Sequence, residues 1–140
     1  MDITEDMIQR IVANVVAATS RPAYKHVDPS GIISIRTKEV ELEAFEGRDD
    51  VRLADVTTLE EAPRMGCGVM ELKDGASFAW TLTYDEYDIV LEGELEIEID
   101  GRIVRGGVGD IIYIPKGSRI HFQTPSHAKY VYTVFPADWQ

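Results

Sequence analysis

By type and spacing, Glu86 and Asp88 are the residues best placed to do chemistry in this 140-residue chain. Side chains alternate faces along an extended strand, so carboxylates two residues apart point to the same side. Such a pair can hold a hard cation through oxygen. Buried together, the two carboxyls can instead keep a proton that an exposed carboxyl would release. Tyr84, two residues before Glu86, brings a phenol nearby. Carboxylates inside a low-dielectric barrel are costly unless paired, so a bound cation or a raised pKa is expected; the alternative is a solvated pair at the barrel mouth.

The other reactive side chains give weaker signals. Tyr113, Tyr130 and Tyr132 lie on strand-like sequence, where core filling is favoured over lining a ligand cavity. His26 and His127 sit in loop-like sequence without a ligand pattern. Cys67 is the single cysteine, which excludes an internal disulfide and reads as a small buried or half-buried thiol. Gly106-Gly107-Val108-Gly109 is followed by Asp110 instead of the lysine and hydroxyl of a phosphate-binding loop, so it reads as a turn. Lys73, Lys116, Arg119 and Lys129 could approach a site, but their spacing does not make them converge.

The elements that must position the carboxylates are strands. From Ile32 onward the apolar period is two, with turn residues at short intervals. Val40 and Leu42 alternate with Glu39, Glu41 and Glu43, and Gly47-Arg48-Asp49-Asp50 is expected to turn the chain. Val69–Leu72 and Phe78–Tyr84 are further strands, joined by the turn Lys73-Asp74-Gly75. Leu95, Ile97 and Ile99 alternate with Glu94, Glu96 and Glu98, predicting a solvated acidic face, and Asp100-Gly101 turns the strand into Arg102-Ile103-Val104. Two last strands run over 119–123 and 129–135. Ahead of the sheet region, Ile8, Ile11, Val12 and Val15 predict an amphipathic helix over 2–19, with Asp2 and Glu5 as a capping box. Ser20-Arg21-Pro22 through Gly31 reads as a linker or extended arm. The expected organisation is residues 1–30 as helix and linker, and 31–140 as one all-β domain.

Composition narrows the function classes. The formal net charge of −11 opposes binding to a phosphate backbone, so no nucleic-acid partner is expected. No apolar run approaches the roughly 20 residues of a membrane span, and the acidic start is unlike a secretion signal. No membrane partner and a cytoplasmic location follow as expectations.

Two glycine-framed segments, Gly75–Gly93 and Gly109-Asp110-Ile111-Ile112-Tyr113-Ile114-Pro115-Lys116-Gly117, resemble the paired motifs of the cupin superfamily. The resemblance implies an all-β, RmlC-like jelly-roll barrel preceded by the short N-terminal helix. In metal-dependent cupins these motifs supply three histidines and a glutamate. Counted from Gly75, the first two histidine positions hold Thr81 and Thr83; counting back from Glu86 instead gives neighbouring positions, none of them histidine. The third holds Ile120, and only Glu86 remains. His121 is one residue late, and a regular strand sends it to the face opposite Ile120; only a bulge would turn it back. No tightly bound transition metal is therefore expected, while Glu86 and Asp88 remain candidates for a hard cation.

A closer resemblance, carried by Trp80 through Gly93 and by Phe135-Pro136-Ala137-Asp138-Trp139, is to the EutQ family of ethanolamine-utilisation proteins. It implies a bacterial microcompartment setting and an acetate kinase activity using ATP and Mg²⁺. On that reading Glu86 and Asp88 hold the metal, and Tyr84 or His121 helps to place acetate or phosphate. The first helix resembles peptides that dock cargo on shell proteins; packing on its own barrel or on a dimer partner is the alternative. A homodimer and a small-molecule ligand are also expected. The competing function is a non-catalytic metabolite-binding or scaffold cupin docked on the shell. A metal-dependent isomerase or oxygenase is disfavoured by the missing histidines.

Overall fold

The computed structural model describes residues 22–139, so the helix expected over 2–19 lies outside the described residues. The chain divides into two compact units between Glu39 and Val40. In the first, Lys25–Val27 (β1) pairs antiparallel with Ile33–Ile35 (β2), and a 3-10 turn follows at Thr37–Glu39. The breaker-rich stretch read as a linker thus holds the first strand and the turn of a hairpin, whose second strand lies just beyond Gly31. Asp28 explains the turn: its carboxylate accepts the Ser30 N–H at 2.9 Å, and its carbonyl accepts the Gly31 N–H at 2.9 Å.

The second unit is all β. Its strands are Glu43–Phe45 (β3), Arg48–Asp55 (β4), Gly66–Leu72 (β5), Ser77–Thr81 (β6), Asp85–Ile99 (β7), Arg102–Gly107 (β8), Ile111–Ile114 (β9), Arg119–Gln123 (β10) and Ala128–Phe135 (β11). They join in one sheet ordered β3-β4-β5-β11-β7-β10-β6, with β8 and β9 also pairing with β7. All the pairings are antiparallel.

Strand β7 shapes the whole unit. Its first half pairs with β9 and β11, its second half with β8 and β10. Between the halves the β11 register shifts at Lys129/Tyr130, and Gly93 adopts φ +72°. One extra residue in a strand reverses which parity faces inward. Accordingly Glu86, Asp88 and Val90 are buried before the bend, and Leu95 and Ile97 after it. The strand bends, and its two ladders close over a shared core that includes Leu72, Val90, Leu95, Ile112, Ile120 and Phe122.

Several local expectations are corrected. The turn expected at 47–50 is made by Glu46 and Gly47, with φ 51° and 77°, and Arg48 already opens β4. The acidic stretch around Val40 is mostly outside a strand, since β3 starts only at Glu43. The Glu94, Glu96 and Glu98 face points outward but is not simply solvated. Glu96 is buried and takes hydrogen bonds from Arg105 Nε at 3.0 Å and Gln123 Nε2 at 2.9 Å. Asp100-Gly101 forms the expected hairpin turn, with φ 50° and 77°.

Candidate functional site

Glu86 and Asp88 both point into the second unit's interior, at 4% and 0% exposure. Register fixes their neighbours: Glu86 lies between Ile114 of β9 and Val134 of β11, and Asp88 between Ile112 and Tyr132. A row of apolar side chains therefore flanks each carboxyl. Neither Asp88 oxygen has a hydrogen-bond partner. Burial raises both carboxyls above their ordinary pKa; at Asp88, raised furthest, the charge of Glu86 adds to the effect. The two carboxyls also act on each other directly: hydrogen bonding between them, too loose to satisfy Asp88, raises Asp88 further and lowers Glu86, so Asp88 is the one that keeps the proton.

Glu86 opens onto a recess walled by rings. Phe45, Phe78, Trp80, Tyr84, Phe122, Tyr130, Tyr132 and Trp139 line it, with Leu53, Met70 and Val134. The rings brace one another: Phe45 meets Trp80 edge-on at 5.6 Å, and Trp80 meets Trp139 at 5.9 Å between centroids. Gly68 makes room for this wall, because a Cβ there would come within 2.1 Å of the Tyr132 ring and hydroxyl. Counting its open mouth, the recess encloses about 330 Å³ of empty space.

Hydrogen bonds already engage most of the wall's donors. Trp80 Nε1 donates to the Tyr84 hydroxyl at 2.7 Å, and Tyr130 donates to Met70 Sδ at 2.8 Å. Tyr132 and Trp139 both donate to Asp55 Oδ1, at 2.6 and 3.0 Å. Desolvation, then the charge of Glu86, pushes the Tyr84 phenol well above its usual range, so it stays protonated at neutral pH.

Glu86, Asp88 and Tyr84 are thus brought to one interior face. His121 is not: Ile120 takes the inward position, and His121 lies outside with Nδ1 3.1 Å from Glu98 Oε2. No bulge turns it back, because β10 pairs in unbroken register with β6. Thr81 and Thr83 are also exposed, whereas Leu82 and Tyr84 are buried, so the inward positions before Glu86 are those counted back from it in steps of two. Of the other tyrosines, Tyr130 and Tyr132 line the recess and Tyr113 packs outside against Tyr87 at 5.1 Å. His127 contacts Glu71, 2.9 Å from Nε2 to Oε2. Lys73, Lys116, Arg119 and Lys129 do not line the recess. The ring wall itself went unassigned in the sequence, although Trp80 and Trp139 fall within the two segments that carry the closer resemblance.

The donor set divides the implied ligands. Two buried carboxyls, one with unpartnered oxygens, suit a hard cation, although no cluster of three or more His, Cys, Asp or Glu side chains fit to hold a metal occurs among the described residues. A nucleotide does not fit the recess, which has neither the volume nor a cationic side chain for its phosphates.

Comparison with known proteins places this geometry in a family. The whole chain, residues 1–140, matches the family described as ethanolamine utilisation protein EutQ. The acetate kinase EutQ of Clostridioides difficile is 40% identical over 146 residues, covering 99% of this chain and 92% of that protein. The solved structure of the Clostridium difficile EutQ protein superposes with a TM-score of 0.76 at 45% identity, covering 82% of this chain and 88% of that one. The acetate kinase EutQ of Salmonella typhimurium is 35% identical over 98% of this chain, which spans only 64% of that longer protein. The cupin domain of Schizosaccharomyces pombe Cnp3, at 17% identity and a TM-score of 0.62 over 74% of this chain and 73% of that one, shares the fold alone. The chain is an all-β cupin and belongs to the EutQ family of ethanolamine-utilisation proteins.

Proposed function

We propose that this protein is an acetate kinase acting in ethanolamine utilisation, moving the γ-phosphoryl group of ATP to a carboxylate oxygen of acetate to give acetyl phosphate and ADP, or the reverse. The observation that carries the reading is 40% identity across 99% of the chain to a protein named for that activity. Glu86 and Asp88 are the side chains that would hold Mg²⁺, which would supply charge neutralisation at the phosphates. Tyr84, kept protonated and facing the same interior, is the group proposed to place acetate; His121 lies on the wrong face for that task. Since a whole nucleotide does not fit the recess, ATP would have to bind at its mouth with only the terminal phosphate directed inward toward the metal.

The test is acetate-dependent ADP formation by purified protein in the presence of Mg²⁺. Glu86→Gln should lower turnover by about a hundredfold, the scale of removing one electrostatic stabiliser from a phosphoryl-transfer site. Full activity in that variant would move the site out of the recess, and an inactive wild-type protein would end the kinase reading.

The absence of any lysine or arginine from the recess wall favours a second reading, a metabolite-binding cupin that docks on a microcompartment shell without catalysis. Its docking element is the segment expected to be helical over 2–19. Deleting residues 1–19 should abolish co-purification with shell proteins and leave the thermal transition of the cupin domain in place. Retained association would count against docking through this segment.

A further inference from the structure

The geometry points to the recess as a binding site for a small primary alkylammonium ion, with Glu86 as its counter-charge and the surrounding rings as its cage. This shares Glu86 with the kinase reading but does not depend on phosphoryl transfer.

The argument starts from what polar capacity remains open. Both indole N–H groups and the hydroxyls of Tyr130 and Tyr132 are already donated to fixed partners. What remains is acceptor capacity on the Glu86 carboxyl, which lines the recess, backed by the fully buried Asp88 two residues along the same inward face. A ligand completing this set must donate hydrogen bonds, and an ammonium group offers three donors and no acceptor.

Charge and shape narrow the class further. With Glu86 on the wall and no lysine or arginine there, carboxylate and phosphate ligands meet repulsion in the metal-free recess. The faces of Trp80, Trp139, Phe45 and Tyr132 carry negative quadrupoles, which attract a cation and also cover an apolar stem. The rings leave little free space beside Glu86, which restricts the ligand to a few heavy atoms. The Tyr84 hydroxyl, which accepts from Trp80, is the wall's remaining hydroxyl and could meet a short hydroxyl-bearing stem. A two-carbon amino alcohol has each of these features.

The chain contains two tryptophans, and both line the recess, so intrinsic fluorescence reports on its occupancy. The experiment titrates the full chain at neutral pH with ethanolamine, its uncharged analogue ethylene glycol, and acetate, at matched ionic strength with EDTA present. Saturable change in tryptophan emission is expected with ethanolamine, at least about tenfold tighter than with either other compound, the scale of one charge-assisted contact. Glu86→Gln should weaken ethanolamine binding by about tenfold or more. Equal responses to all three compounds, or no saturable response to ethanolamine, would overturn the assignment. So would unchanged affinity in a folded Glu86→Gln protein. The wild-type selectivity decides the question even where that variant does not fold. Because the readout contains no ATP, a failed kinase assay and a failed binding assay remain separate results.

Discussion

Water is wholly excluded from the Asp88 carboxyl, and neither oxygen meets a donor, so ionising it costs more in the native protein than in the unfolded chain. Glu86 shares the disadvantage in the same direction. Raised native pKa values mean that the folded state holds more protons than the unfolded state at pH values above about 4, the ordinary carboxyl range. The stability contribution of this pair is therefore greatest in acid and is lost as pH rises toward the raised native values. Asp88→Asn imitates the protonated group in size and neutrality. With EDTA present, it should be more stable than wild type by about 1–3 kcal/mol at pH 8, with the advantage shrinking toward pH 4. Urea denaturation at both pH values measures the difference. A variant destabilised at pH 8 and less so at pH 4 would mean that Asp88 is satisfied as an anion. Adding Mg²⁺ at pH 8 should raise wild-type stability and leave Asp88→Asn less affected, since a cation that binds only the folded protein stabilises it by mass action.

The bend in β7 is what lets one strand present Glu86 and Asp88 inward and Glu94, Glu96 and Glu98 outward. Gly93 is its least replaceable residue: it has φ +72°, and a Cβ there would lie 1.9 Å from the His127 carbonyl oxygen. Gly93→Ala should cost at least about 2–3 kcal/mol, measured by denaturant midpoint, because both the conformation and the space exclude a side chain. A midpoint within experimental error of wild type would show that the bend does not depend on this glycine. The same element shows how far the sequence could be read. Alternation at 95–99 and the Asp100-Gly101 turn are local signals, and both predict what is found. The inward placement of Glu86 and Asp88 was legible only through the motif resemblance, because the parity change depends on a register shift against β11, a partner 35 or more residues distant. Strand β4 was obscured by its opening Arg48-Asp49-Asp50, a polar run that resembles a turn; in the structure Arg48 instead forks onto Asp50 at 2.8 and 2.9 Å. Glycines mark turns, but they do not say which neighbouring residues stay in the ladder. The ring wall was hidden for a similar reason, since Phe45, Trp80 and Trp139 come from three distant segments that only folding gathers.

At the scale of the molecule, the expected homodimer has a candidate surface on the outer side of β9, β7 and β11. Ile111, Ile89 and Val131 stand in one cross-strand row, and Tyr113, Tyr87 and Thr133 in the next. Ile111, Tyr113 and Tyr87 are 64%, 51% and 52% exposed, and Phe135 on the same strand set is 60% exposed. Contiguous exposed apolar side chains of this kind mark contact surfaces. Two copies each carrying a formal −11 repel one another at long range, so an apolar face has to supply the attraction, and salt should strengthen association by screening the repulsion. A two-fold contact places the same residue on both sides, so a single substitution alters the interface twice. We therefore expect the full chain to sediment as a dimer at tens of micromolar, with Ile111→Glu weakening self-association by about a hundredfold. Because Ile111 is largely exposed, that variant should keep its unfolding midpoint, which separates a lost interface from a lost fold. A monomeric wild-type chain at that concentration, or an Ile111→Glu variant with undiminished association, would remove this face as the site of pairing.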